Sequence, residues 1–132
     1  MPITYRIDER EKLVVTTIRG RIDEAEVRAH AAVTARDPRV HACARALVDI
    51  GSDVETSVES GVVSELSMTP TPTDEPPGRK IAVIAPTDST YGLARVFQGF
   101  RTGTGGGEVQ VFRTRAQAEA WLGITTGKPI KT

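Results

Sequence analysis

The stretch KIAVIAPTDSTYGLARVFQGF, residues 80–100, contains the pattern that decides the fold. Ile81–Ala85 is an unbroken apolar run of strand length, as expected for a strand that is covered on both faces. Asp88 follows in a position to cap a helix, and apolar residues then recur at helical spacing, at Leu93, Val96, Phe97 and Phe100. A buried strand that leads into an amphipathic helix predicts a parallel sheet covered by helices.

Towards the N-terminus, the pattern predicts two strands and a helix. Alternating and β-branched residues favour strands at Ile3–Ile7 and Leu13–Ile18, joined as a hairpin by a charged turn. Asp23 and Glu26 have the spacing of a capping box and predict a helix over residues 24–36. A proline two residues later prevents the helix from continuing.

A further strand and helix precede the deciding stretch. Residues 46–50 form a short apolar run that a glycine ends, which predicts a strand. A helical face is then predicted from the apolar residues Val58, Val62, Val63 and Leu66. Residues 69–78 hold four prolines, which predicts a mobile, exposed loop.

After the deciding stretch, residues 108–113 alternate as in a strand. Thr114 and Gln117 again have capping-box spacing, and Gly123 stands where a helix C-terminal cap belongs. The predicted order is β-β-α-β-α-β-α-β-α. It predicts a single α/β domain over residues 1–123, with a mixed, mostly parallel five-stranded sheet and helices on both faces. Residues 124–132 are expected to form a flexible tail.

Composition excludes several classes of protein. The 132 residues match one ordinary globular domain, and 17 basic and 17 acidic residues cancel. Without a net positive charge, a nucleic-acid partner is not expected. Cys43 is the single cysteine, the N-terminus has no signal-peptide pattern, and no apolar run is long enough to span a bilayer. We therefore expect a cytoplasmic protein without membrane insertion.

The chain resembles a known family in two segments. The helix YGLARVF after the strand KIAVIAP, and the closing segment VFRTRAQAEAWL, are similar to the SpoIIAA-like proteins. These proteins are a branch of the anti-sigma-factor antagonist and sulfate-transporter (STAS) superfamily. The resemblance implies that superfamily's fold and a non-catalytic protein-interaction or signalling module with a protein partner.

STAS antagonists carry a phosphorylatable serine in an Asp-Ser-Ser-Gly-Leu sequence, and VESGV at residues 58–62 is the nearest match here. Ser60 and Gly61 fit, whereas Glu59 replaces the aspartate and one serine is missing. Ser57 and Ser60 are therefore the candidate phosphoacceptors. Nearby glutamates oppose an added negative charge there.

An acidic surface is the candidate site for that partner. No Lys or Arg lies between Arg45 and Arg79, whereas seven acidic residues do. The candidate contacts for a basic partner are Asp53, Glu55, Glu59 and Glu65. A solvated helix surface explains the same acids equally well.

A candidate ligand pocket lies where the strand at residues 81–85 leads into its helix, the usual ligand position in open α/β sheets. Its candidate residues are Thr87, Asp88, Ser89, Tyr91 and Arg95. Thr87 or Asp88 capping the helix is the simpler explanation of the polar residues.

The sequence predicts neither metal, cofactor nor enzymatic activity. His30, His41 and Cys43 are too few for a metal site of the usual kind. The glycine run 103–107 precedes a strand and is expected to be a flexible connection, not a phosphate loop. No nucleophile elbow supports a serine hydrolase. An enzyme with an unrecognised site at the strand ends is the least favoured alternative.

Two alternatives concern binding. A small apolar or lipid-like ligand, as in a carrier domain, is the main alternative to a protein partner. Small residues in the first predicted helix would leave space beneath it, namely Ala29, Ala31, Ala32 and Ala35. A homodimer through an edge strand of the sheet is a further expectation.

Overall fold

The computed structural model describes residues 2–67, 78–103 and 107–124. Along the chain the elements are β1 (Ile3–Asp8), β2 (Leu13–Ile18), β3 (Arg21–Ile22), α1 (Glu24–Ala35), α2 (Pro38–His41), β4 (Arg45–Ile50), β5 (Glu55–Thr56), α3 (Ser60–Ser67), β6 (Lys80–Ile84), α4 (Asp88–Gly103), β7 (Glu108–Phe112) and α5 (Arg115–Leu122). All nine predicted elements are present in the predicted order. The short elements β3, β5 and α2 were not predicted, because two to four residues carry no recognisable period.

Five strands form the central sheet in the order β1-β2-β4-β6-β7. β1 is antiparallel to β2, and every other pair is parallel. Each crossover moves one strand further in the same direction, and right-handed crossovers then bring α1, α3 and α4 to the same face. α5 follows the last strand and packs on the other face, against β6, β7 and β4. The mixed, mostly parallel sheet with helices on both faces is confirmed.

The apolar run of β6 contributes to the core on both faces of the sheet. Ile81 and Val83 pack in the cluster on the α4 side. Ala82 and Ile84 pack in the cluster on the α5 side, which includes Leu122. All four of these apolar side chains are buried. The strand is therefore covered on both faces, as predicted.

Caps confirm three predicted helix boundaries. At α1, Asp23 accepts from the Glu26 N–H at 2.9 Å, and the Glu26 carboxylate accepts from the Asp23 N–H at 3.0 Å. At α5, Thr114 accepts from the Gln117 N–H at 3.3 Å. Gly123 ends α5 in the left-handed conformation with φ 74°. Residues near in sequence therefore determine these helix ends.

Two predicted helix starts are corrected. α3 begins at Ser60, so Val58 of the predicted helical face precedes the helix, and its N–H donates to the Thr56 side-chain oxygen at 3.0 Å. Asp88 is the first residue of α4, and the Thr87 hydroxyl accepts from the Thr90 N–H at 3.3 Å. Of the two cap candidates, Thr87 is thus the residue that caps the helix.

Parts of the predicted connections and tail lie outside the described residues, namely 69–77, 104–106 and 125–132. Ile124, the first residue of the predicted tail, donates its N–H to the Glu119 carbonyl at 3.0 Å and packs against the α5 cluster. The domain's packing therefore extends one residue past its predicted end. In the described parts of the chain, no helix is long and apolar enough to cross a membrane.

Candidate ligand cavity

A cavity of about 290 Å³ lies between the sheet and the helices α1, α3 and α4. Its floor includes Thr16, Val48 and Val83, which are direct register partners on three adjacent strands. Alternation along a strand directs these side chains to the same face of the sheet. The floor is therefore part of the sheet's regular surface.

Helices α1 and α4 form two walls of the cavity. Val27, His30 and Ala31 of α1 line it with the i, i+3, i+4 spacing of one helical face. Leu93 and Phe97 of α4 also line it. They belong to the apolar face predicted for that helix, whereas Phe100 is exposed.

Helix α3 and the segment before it complete the wall. Val58, Val63 and Leu66 line the cavity, and all three belong to the apolar face predicted for this region. No side chain described in α3 is fully buried, so its apolar face covers the cavity without filling it.

Small side chains explain why the space remains open. Ala31 of α1 and Ala94 of α4 both line the cavity. Ala29, Ala32 and Ala35 are exposed, so only one of the four alanines suggested from sequence lies over the space. The expected space beneath the first helix therefore exists, but α4 and α3 contribute to it as much as α1.

Four polar side chains line this otherwise apolar cavity: Thr16, His30, Thr56 and Thr90. Thr56 donates to the Ile22 carbonyl at 3.0 Å, and the Thr90 hydroxyl lies 2.8 Å from that of Thr87. The sequence did not indicate Thr16 as a cavity residue. The available signal was alternation in β2, which puts Thr16 on the same face as the buried Val14.

The pocket predicted from sequence is a cluster of residues bonded to one another. Thr87 lies 3.4 Å from the Ser89 hydroxyl, and Asp88 accepts from Arg113 at 3.0 Å. The Arg113 guanidinium stacks over the Tyr91 ring at 4.2 Å, and Arg95 donates to the Tyr91 hydroxyl at 3.4 Å. The five predicted residues lie together, but none is among the described residues that line the cavity. Their neighbour Thr90 does line the cavity.

The predicted acidic surface is partly neutralised by the chain itself. Glu65 accepts two hydrogen bonds from Arg28, at 2.9 and 3.0 Å, and these hold its pKa below the usual range. Glu55 lies 3.5 Å from Arg21. Asp53 and Glu59 are exposed. The partner surface stays a prediction, with two of its four acids in ion pairs.

The candidate phosphoacceptors, Ser57 and Ser60, are close in sequence to Glu55 and Glu59 of that surface. Ser57 is exposed in the segment between β5 and α3, and Ser60 is the exposed first residue of α3. Both are accessible, and their phosphorylation stays a prediction.

Two ionisable residues bear on the alternatives of an enzyme site at the strand ends and of a metal site, namely Asp49 and Cys43. Asp49, near the end of β4, is buried and contacts Arg115 at 2.5 Å and Arg19 at 3.2 Å. Cys43 is buried, and burial raises the pKa of its thiol. Within residues 2–67, 78–103 and 107–124, no three His, Cys, Asp or Glu side chains are grouped as metal ligands. Asp49 is held by its ion pairs with Arg19 and Arg115.

Comparison with known proteins identifies the fold. No protein-family model and no curated protein matches the chain. The structure is similar to that of an uncharacterized protein of the DUF3478 family with a SpoIIAA-like fold, from Shewanella loihica PV-4. The TM-score is 0.52, 91% of each chain is covered, and the sequences are 16% identical. The chain therefore has a SpoIIAA-like fold, as its sequence resemblance predicted.

Proposed function

We propose that this protein is a non-catalytic binding domain for small apolar molecules, which occupy the cavity beneath α1, α3 and α4. The cavity itself is the observation that supports this function. It is bounded by a sheet and three helices, and most of its lining side chains are apolar. A protein core normally closes such a space, because unfilled apolar volume destabilises the folded state.

The size of the cavity suggests the size of the ligand. A volume of about 290 Å³ is near the lower end of small-molecule sites, which measure ~300–1,000 Å³. An apolar cavity of ~150 Å³ in another protein accepts benzene, so about a dozen non-hydrogen atoms fit here. At roughly 0.5 kcal/mol per atom, such a ligand would bind with a Kd of tens of micromolar.

The protein-interaction role that the resemblance implies is a second proposal. Its remaining surface is centred on the exposed Asp53 and Glu59, because Glu55 and Glu65 are paired within the chain. The ligand-binding role takes precedence because it is supported by a formed cavity. Neither role requires a catalytic step.

Binding of naphthalene, followed by NMR chemical-shift titration, tests the ligand-binding role. We expect saturable shifts at Val48, Val83 and Ala31. The variant Ala31→Leu fills part of the cavity and should weaken binding about tenfold or more, since added methylenes compete for a confined space.

Ala32→Leu is the matched control, because Ala32 is the next residue of α1 and is exposed. It adds the same side chain outside the cavity and should leave naphthalene binding unchanged. Absence of saturable shifts in the wild-type protein contradicts the proposal, as does equal binding by Ala31→Leu and Ala32→Leu.

A further inference from the structure

Two polar groups in the cavity wall have unused hydrogen-bonding capacity. Thr16 is only 9% exposed, and its hydroxyl makes no hydrogen bond with any residue the structure describes. The same holds for the ring nitrogens of His30 within the described chain. Thr56 and Thr90, the other polar lining residues, are bonded to their own surroundings.

Thr16 and His30 lie at the same end of the cavity. Tyr5 of β1 is the direct register partner of Thr16 on β2, and directly opposed side chains are ~5 Å apart at Cβ. The His30 ring packs edge-on against the Tyr5 ring, with 5.8 Å between centroids. Both residues therefore lie next to Tyr5 on the α1 side of the cavity. The lining side chains of α3 are apolar, and Thr90, the polar lining side chain of α4, is bonded to Thr87.

The chemistry of this polar end selects an uncharged partner. Burial lowers the pKa of His30, which keeps the imidazole neutral at about pH 7 with one donor and one acceptor. The threonine hydroxyl also both donates and accepts. No Lys or Arg is among the described lining residues. An ionised carboxylate or phosphate would lose its hydration there without gaining a cation.

We propose that the cavity selects amphipathic molecules with a neutral hydrogen-bonding group, such as an alcohol or a carbonyl, which binds Thr16 and His30 while the apolar body fills the remaining space. The inference rests on the proposed function, because it requires that apolar molecules enter this cavity. It adds the class of ligand: neutral alcohols and carbonyl compounds are accepted, and anionic lipids or acids are rejected.

Isothermal titration calorimetry with three ligands of similar size tests this selectivity: naphthalene, 2-naphthol and 2-naphthoate. At about pH 7 the naphthol is neutral and the naphthoate is ionised. We expect 2-naphthol to bind about three- to tenfold more tightly than naphthalene, which corresponds to one net hydrogen bond. 2-Naphthoate should bind about tenfold or more weakly than 2-naphthol.

Thr16→Val removes the hydroxyl while keeping the side-chain shape, and His30→Leu removes the imidazole. In each variant the advantage of 2-naphthol over naphthalene should fall to about twofold or less, while naphthalene itself still binds. Because Thr16→Val is nearly isosteric, it keeps the test valid if His30→Leu disturbs the fold.

The outcomes separate this inference from the proposed function. If naphthalene binds but 2-naphthol has no advantage, or keeps it in Thr16→Val, the polar selectivity is wrong and the apolar cavity role stands. Tighter binding of 2-naphthoate than of 2-naphthol also overturns the selectivity. If naphthalene does not bind at all, the proposed function and this inference both fail.

Discussion

Arg28 of α1 holds Glu65 of α3 through two parallel hydrogen bonds, at 2.9 and 3.0 Å. The two residues are 37 positions apart in sequence, and they join two of the helices that surround the cavity. Arg28 is also bonded to Glu24 on its own helix, at 2.8 Å. A residue expected to contact a partner is thus part of the protein's internal ion-pair network.

Glu65→Gln should lower the melting temperature at low ionic strength, with little difference from wild type at about 1 M salt, where the Debye length is ~3 Å. The pKa of Glu65 is lowered by Arg28, so the bridge stabilises the fold at neutral pH and is lost as the pH falls through the folded-state pKa. Thermal denaturation at two salt concentrations measures the effect. A salt-independent difference would show that Glu65 acts by other means than this ion pair.

His30 should make the fold less stable in mild acid. Burial lowers its pKa, so the unfolded chain binds a proton more readily than the folded protein below about pH 6.5. Stability is therefore unaffected by this group well above that pH and decreases as the pH falls below it. Urea denaturation at about pH 7.5 and pH 5.5 should show a smaller decrease for His30→Gln than for wild type. The same decrease in both proteins would contradict the assignment.

Asp49→Ala should cost about 2–3 kcal/mol of unfolding free energy, because it leaves Arg19 and Arg115 without their shared buried partner. The midpoint of urea denaturation measures the loss. Asp88→Ala is the matched control: its side chain is 98% exposed and has one arginine partner, so its removal should change the midpoint little. Equal shifts of the midpoint for Asp49→Ala and Asp88→Ala would show that burial does not determine how strongly the Asp49 ion pairs stabilise the fold.

Gly107→Ala should destabilise the fold by about 2 kcal/mol or more. Gly107 has φ 98°, and an added Cβ would lie 2.4 Å from the Arg79 carbonyl oxygen. Gly99→Ala should have the opposite effect on stability, because Gly99 lies in α4 and an added Cβ there would enter open space. That substitution should stabilise by about 0.5–1 kcal/mol. Chemical denaturation compares the two alanines, and a stable Gly107→Ala would contradict the close approach to Arg79.

The sequence by itself determined what depends on neighbouring residues. The run Ile81–Ala85 predicted a strand covered on both faces, because every residue in it favours burial. Asp23 and Glu26 predicted the start of α1, because a capping box needs only a three-residue spacing. Elements of two residues escaped prediction: β3 and β5 pair across 34 positions and have no local signal.

The tertiary structure alone decided the candidate site. Thr16, His30, Val48, Leu66 and Phe97 meet in the cavity from five different elements. Their meeting depends on strand register and on crossovers of one hand, which place three helices on the same face of the sheet. Each of these side chains looks like an ordinary core residue in sequence. Whether a core is filled or left open depends on how facing surfaces fit, and no single segment of the chain contains that information.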